Sequence, residues 1–173
     1  MSNLSEYREY NAPEVELRCV DTSIRLNQTP IRCQEQIPQG IIDFLSEATV
    51  EHIITLQLGN DLRLINYSII AKGSLSNAVF SMSSILQTAT LSNANSVLVL
   101  HNHLSLGDID TNVPKPSRED KDVAIKTFQT LRIAGIELAD FVIVGPNKSL
   151  YSFREHDMAP FNVYHEHKLS YVK

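Results

Sequence analysis

The stretch Ser96-Val97-Leu98-Val99-Leu100-His101-Asn102-His103 decides how the rest of the chain is read. Its first five residues form a short Val/Leu run, the pattern of a central strand covered on both faces. Two histidines follow, one residue apart. Residues two apart on a strand point to the same side, so both imidazoles leave the strand end together. That end is where open α/β sheets bind ligands. Two imidazoles and one carboxylate make a three-ligand set with a fourth position left for water. A carboxylate stands at the start of the next helix, in Ser117-Arg118-Glu119-Asp120. His101, His103 and Asp120 are therefore the candidate ligands of one zinc ion. Zinc so held would lower the pKa of a water from about 15.7 to roughly 7. A general base must then move protons, and a donor must steady the oxyanion.

The neighbouring segments fit a sheet around that strand. Upstream, Ile41 to Ala48 suits a short helix, and Glu51 to Leu58 reads as a buried strand. Gly59-Asn60-Asp61 is a turn, and Leu62 to Lys72 is the paired strand, ended by Gly73. Ser83 to Asn93 suits a helix with Ile85, Leu86, Ala89 and Thr90 inward. Downstream, Leu104 to Pro116 is a loop. The next helix starts at Ser117, carries Val123, Ala124, Phe128, Leu131 and Ala134 on its apolar face, and stops at Gly135. Phe141 to Val144 and Leu150 to Phe153 close the series around the Gly145-Pro146-Asn147 turn. The order β-β-α-β-α-β-β predicts an α/β layered domain with a central mixed sheet flanked by helices. The expected organisation is an N-terminal extension over 1–40, the metal-binding domain over 41–157 and a polar tail over 158–173. Within the extension, Ala12 to Cys19 alternates like a strand.

Bulk properties bound the function. The chain has 173 residues, 43% hydrophobic and 20% charged, enough to bury one core without disulfides or a structural metal. A metal here is expected to serve chemistry rather than folding. The two cysteines, Cys19 and Cys33, read as reduced thiols. A net charge of −5, with no long basic run, argues against general nucleic-acid binding except through a partner. The apolar run Val97 to Leu100 is too short for a membrane span, and Met1 to Asn11 holds no apolar signal core. The expected location is cytoplasmic, away from membranes.

Each motif alone has a plain reading. An H-x-H often marks surface histidines, and Ser-x-x-Asp is first a helix cap of about 1 kcal/mol. Their coincidence at a strand end and the next helix start is much rarer. His165-Glu166-His167 lies in the polar tail and reads as solvated. His52 points away from Glu51 on its strand and reads as structural, as does His156. Asp108 and Asp110 read as turn residues of the loop.

Leu98-Val99-Leu100-His101-Asn102-His103 followed by Pro116-Ser117-Arg118-Glu119-Asp120 resembles the signature H-x-H-x7-S-x-x-D of RadC-like proteins, bacterial members of the JAB/MPN metalloprotease superfamily. Lys72-Gly73-Ser74-Leu75, Ala134 to Leu138, Val142 to Gly145 and Tyr151-Ser152-Phe153 extend the resemblance over about residues 45 to 157. It implies the JAB/MPN-type, cytidine-deaminase-like layered fold. It also implies that His101, His103 and Asp120 bind zinc, that Glu51 handles the water and its protons, and that Ser117 donates to the tetrahedral intermediate. The implied substrate is a peptide or isopeptide bond.

The chain departs from the pattern in places. Thirteen residues separate His103 from Ser117 where the motif has seven, a six-residue insertion beside the metal. Leu104 replaces the usual proline, Asp140-Phe141 stands for an Asp-His pair, and Phe80 to Ser84 replaces a basic stretch. One expectation for the insertion is a wall of Leu104 and Leu106, with Asp108 and Asp110 selecting a basic or amide-rich substrate. Three functions compete: a zinc-dependent hydrolase, a DNA-repair or recombination factor such as a metal-dependent nuclease, and a non-catalytic interaction module. Glu51 favours the first, since a structural zinc needs no free base. The acidic balance weighs against the second, and the intact ligand set against the third.

Overall fold

In the computed structural model, residues 29–73, 81–106 and 112–162 are described. A short 3-10 turn, Gln34–Gln36, leads into α1 (Gln39–Ser46). Then come β1 (His52–Leu58), β2 (Leu64–Lys72), α2 (Met82–Leu91), β3 (Ser96–Asn102), α3 (Arg118–Ile133), β4 (Glu137–Val144) and β5 (Leu150–Ser152). The sheet order is β2-β1-β3-β4-β5. β1 runs antiparallel to both β2 and β3, β3 parallel to β4, and β4 antiparallel to β5. The mixed sheet and its flanking helices are those the sequence order predicts.

The continuous apolar runs explain the middle of the sheet. Every residue of β1 and β3 is buried, so both strands need cover on two faces. On one face, Ile41, Ile42 and Leu45 of α1 meet Ile54, Leu56, Leu98, Leu100 and Val142. Ile31 and Ile37 join the same cluster, so the chain ahead of α1 is part of the core. On the other face, Ile85, Ala89, Ala124 and Leu131 of α2 and α3 cover Ile53, Val97, Val99 and Ile143. Each fully buried Leu or Ile contributes roughly 1.5–3 kcal/mol.

Some expected details differ. Thr90 is exposed, because Ile85 and Ala89 define the inner line of α2 and Thr90 lies about 100° around from Ala89. On α3 the inner line is Asp120, Ala124, Thr127 and Leu131, while Ala134 is an exposed C-cap. Gly135 ends that helix with φ +74°, a conformation glycine adopts freely. β4 begins at Glu137, ahead of the expected Phe141, because β3 offers pairing partners along its whole length. The candidate strand Ala12 to Cys19 and residues 163–173 of the expected tail lie outside the described residues, while Phe161, within that tail, is buried in the core. Among the described residues, no helix is long and apolar enough to cross a membrane.

Candidate metal centre

The fold brings the three expected ligands together. His101 is the penultimate residue of β3 and is only 1% exposed. Its Nδ1 lies 2.9 Å from the carbonyl oxygen of His52. A carbonyl only accepts, so Nδ1 carries the proton and Nε2 presents a lone pair. His103 follows the strand and stays in line because its backbone N–H donates to Val144 at 2.9 Å. The two rings meet edge to face with centroids 5.1 Å apart.

Asp120 arrives from α3 through a capping box. Ser117 Oγ accepts the Asp120 N–H at 3.1 Å, and Asp120 Oδ2 accepts the Ser117 N–H at 2.7 Å. The Ser117 hydroxyl donates to the same Oδ2 at 2.6 Å. Thus the cap that starts the helix also aims the carboxylate. Oδ2 stands 3.1 Å from His103 Nε2, and Oδ1 stands 3.6 Å from His101 Nε2. Asp120 is fully buried, yet its Oδ1 has no hydrogen-bond partner. An orphaned buried carboxylate oxygen is costly. A cation among these groups would satisfy it.

The donor set fits a metal ion. One ligand atom from each of His101, His103 and Asp120 lies within 4.8 Å of the others. Two ligand atoms bonded at about 2.0–2.2 Å to one tetrahedral ion stand roughly 3.4 Å apart, so the cluster is near that size and would close slightly around an ion. Burial pushes the His101 imidazole below its ordinary range, and the Asp120 charge only partly restores it. His101 is thus neutral near pH 7, as a ligand must be. Burial raises Asp120, but hydrogen bonds from His103 and Ser117 outweigh it and hold the carboxyl at about 2. The carboxylate is ionised at any ordinary pH.

Glu51 stands just ahead of β1. Ile53 pairs with His101, so continuing the antiparallel register sets Glu51 opposite His103. Alternation places it on the face of Ile53, which is the face of both histidines. Its charge is close enough to act on His101. The segment is held from both sides. The Gly73 N–H donates to Glu51 O at 2.8 Å from the end of β2. From β3, Asn102 Oδ1 accepts the His52 N–H at 2.6 Å, and Asn102 Nδ2 donates to Val50 O at 3.3 Å. Asn102 therefore brackets Glu51 at its two neighbours. The sequence reading passed over this residue. Its only signal was alternation: between two same-side histidines, the middle side chain must face the other way.

The remaining candidates separate. His52 is buried on the opposite face, edge to face with Phe44 at 5.3 Å, and holds Val50 O through Nδ1 at 2.9 Å. His156 stacks on Tyr151 with centroids 4.0 Å apart. Cys33 is an exposed free thiol, and Cys19 lies outside the described residues. So do His165, His167, Asp108 and Asp110. The described ends of the inserted loop are pinned. Lys115 N–H donates to Leu106 O at 3.2 Å, and Asn147 Nδ2 donates to Asn112 O at 3.0 Å. Leu106 lies against Gly145, where an added Cβ would come within 3.0 Å of it.

A mixed sheet between helices, with a His-His-Asp cluster at the end of its central strand, defines a layered domain of the JAB/MPN type. Comparison with known families narrows this. Residues 31–158 match the model of the RadC-like JAB domain, and the chain belongs to that family. Among curated proteins it is similar to a UPF0758 protein of Geobacillus thermodenitrificans, 33% identical over 118 residues, covering 68% of this chain and 50% of that protein. A UPF0758 protein of Halalkalibacterium halodurans is 28% identical over 145 residues, 84% of this chain and 60% of that protein. One from Staphylococcus aureus is 30% identical over 122 residues, 70% of this chain and 51% of that protein. The chain therefore spans about half to three fifths of the length of these relatives.

Proposed function

We propose that this domain is a zinc-dependent hydrolase of peptide or isopeptide bonds. The observation that carries this reading is the buried Asp120 Oδ1, left without a partner beside His101 Nε2. A purely structural capping box would have used or exposed that oxygen. His101, His103 and Asp120 would hold the ion, and Glu51 stands close by without belonging to the ligand cluster. When bound, zinc supplies a Lewis acid and lowers the pKa of water into the neutral range.

The chain's own groups supply the rest. Glu51 takes a proton from the attacking water and returns it to the leaving amine. Its reach is set by backbone anchors, since Asn102 and Gly73 fix the residues around it. Ser117 serves as the oxyanion donor after its hydroxyl rotates away from Asp120. That rotation leaves Asp120 Oδ2 the Ser117 N–H at 2.7 Å, so the carboxylate stays aimed.

Elemental analysis of metal-replete protein, followed by a screen of peptide, isopeptide and oligonucleotide substrates, tests this reading. One zinc per chain and peptide cleavage that vanishes in Glu51→Gln, with zinc retained, is the expected result. Zinc content independent of His101 and His103, or cleavage confined to oligonucleotides, would overturn it.

A further inference from the structure

On the same face of the sheet as the metal centre lies a cavity of about 460 Å³. That is the size of pockets that take small ligands or single side chains. Its position follows from register. His101 pairs with Ile143 on β4, and Ile143 pairs with Tyr151 on β5. Residues paired across a sheet point to one face, and strands lie about 4.8 Å apart. Tyr151, which lines the cavity, is thus two strands from His101, about 10 Å away. The lining also includes Val113 to Pro116, the last four residues of the lengthened His103–Ser117 loop. The cavity is lined by the very loop in which this chain exceeds the family spacing.

The lining has a definite chemistry. Two prolines, Val113, Met158 and the stacked Tyr151–His156 pair make it mostly apolar. Lys115 and Lys121 belong to the lining, which gives it a positive balance, and no carboxylate belongs to its described part. Lys121 directly follows the candidate ligand Asp120, so the first turn of α3 is shared by cavity and metal centre. Asp108 and Asp110, expected to favour basic substrates, lie outside the described residues, whereas Lys115 lines the cavity.

We propose that this cavity is a recognition subsite for an apolar side chain next to a carboxylate in a peptide substrate. This rests on the hydrolase reading above. An extended peptide advances about 3.3 Å per residue, so a side chain in the cavity belongs to a residue within about three of the bond acted upon. The two lysines select the neighbouring acidic group by charge complementarity. A nucleic acid fits less well, because the whole chain carries a net charge of −5 and a strand of phosphates needs a longer basic track.

Methyl-13C methionine gives a reporter that needs no turnover. The chain has three methionines, Met1, Met82 and Met158, and Met158 lines the cavity. The zinc-loaded protein is titrated with N-acetyl-Leu-Asp, N-acetyl-Leu-Lys-amide and pentathymidylate, and Met158→Leu assigns the signal. A saturable Met158 shift with the Leu-Asp probe is expected, about fivefold tighter than with the Leu-Lys probe. Lys121→Met should weaken it by roughly the same factor at unchanged zinc content. Glu51→Gln should leave it unchanged. No Met158 response, equal response to both peptides, or a response to thymidylate alone would overturn the proposal. Peptide cleavage without a Met158 response sinks the subsite and spares the hydrolase. Leu-Asp binding at Met158 with no peptide cleaved in the substrate screen retains the peptide site and sinks the hydrolase.

Discussion

Asp120 and Asp140 are both buried, and each accepts a serine hydroxyl, yet they do opposite things. Asp140 spends both oxygens on fixed neighbours. Its Oδ1 accepts the N–H groups of Phe141 at 2.7 Å and Arg154 at 3.0 Å, and its Oδ2 accepts from Ser152. Asp120 gathers its partners on Oδ2 and leaves Oδ1 without one. Burial raises Asp140 above the ordinary carboxylate range despite its hydrogen bonds. At Asp120 the hydrogen bonds from His103 and Ser117 win over burial. A carboxylate that ties β4 to the segment after β5 is closed by its surroundings, whereas the one in the candidate metal cluster is left with capacity.

The largest expected effect breaks that contrast directly. Asp120→Ala should take zinc from about one per chain to none, read by elemental analysis. Asp140→Ala should keep the zinc and instead cost about 3 kcal/mol in urea unfolding, since it strands two buried donors and a half-buried one. Equal zinc loss in both variants would erase the distinction.

Next in size is Asn102→Leu, which removes the bracket around Glu51 without touching a ligand. Hydrolysis should fall about 100-fold, the scale of a misplacement near 1 Å. Zinc content should hold. A variant as active as the parent would show that Glu51 needs no such support.

The two aspartates should also give opposite pH slopes in metal-free protein. Asp120 has a folded pKa of about 2, below its unfolded value near 3.9. Its contribution to stability is present above pH 4 and is lost as the pH falls toward 2. Asp140 has a raised folded pKa, so its contribution is present below the unfolded value and is lost as the pH rises through the folded one. Urea titrations across this range should lose the first limb in Asp120→Asn and the second in Asp140→Asn. One limb common to all three proteins would contradict the assignment.

The smallest effect concerns the loop. Deleting residues 107–112 restores the family spacing and removes the Asn112–Asn147 tie. Stability should change by about 1 kcal/mol, because closure entropy varies only with the logarithm of length. Zinc should be unaffected, while the Met158 response to the Leu-Asp probe should be lost. Retained probe binding would show that the loop contributes nothing to recognition.

Much of this fold is written in short range patterns. The Val97–Leu100 run, the Ser117 cap and Gly135 each act through their own neighbours, so strand, helix start and helix stop are legible. The ligand cluster is legible for the same reason: alternation aligns His101 with His103, and the cap turns Asp120 inward. What was not legible depends on distant partners. Asn102 acts on Val50 and His52, fifty residues earlier in the chain, and only the β1–β3 pairing brings them together. Thr127 takes an inner place on α3 that hydropathy alone assigns to an apolar residue. The cavity joins a loop to the segment after β5, a meeting no local pattern encodes.

The spacing of these groups along the chain also bears on biosynthesis. His101, His103 and Asp120 come from one continuous stretch, β3 and the start of α3, whereas Glu51 joins them through antiparallel pairing with β1. Loop closure between near neighbours is fast, and pairing across fifty residues is slower. A chain emerging from the ribosome therefore holds Glu51 first and His101, His103 and Asp120 later, while a refolding chain can gather those three before β1 docks. Assembly of the His-His-Asp cluster and placement of Glu51 beside it thus belong to different moments of folding.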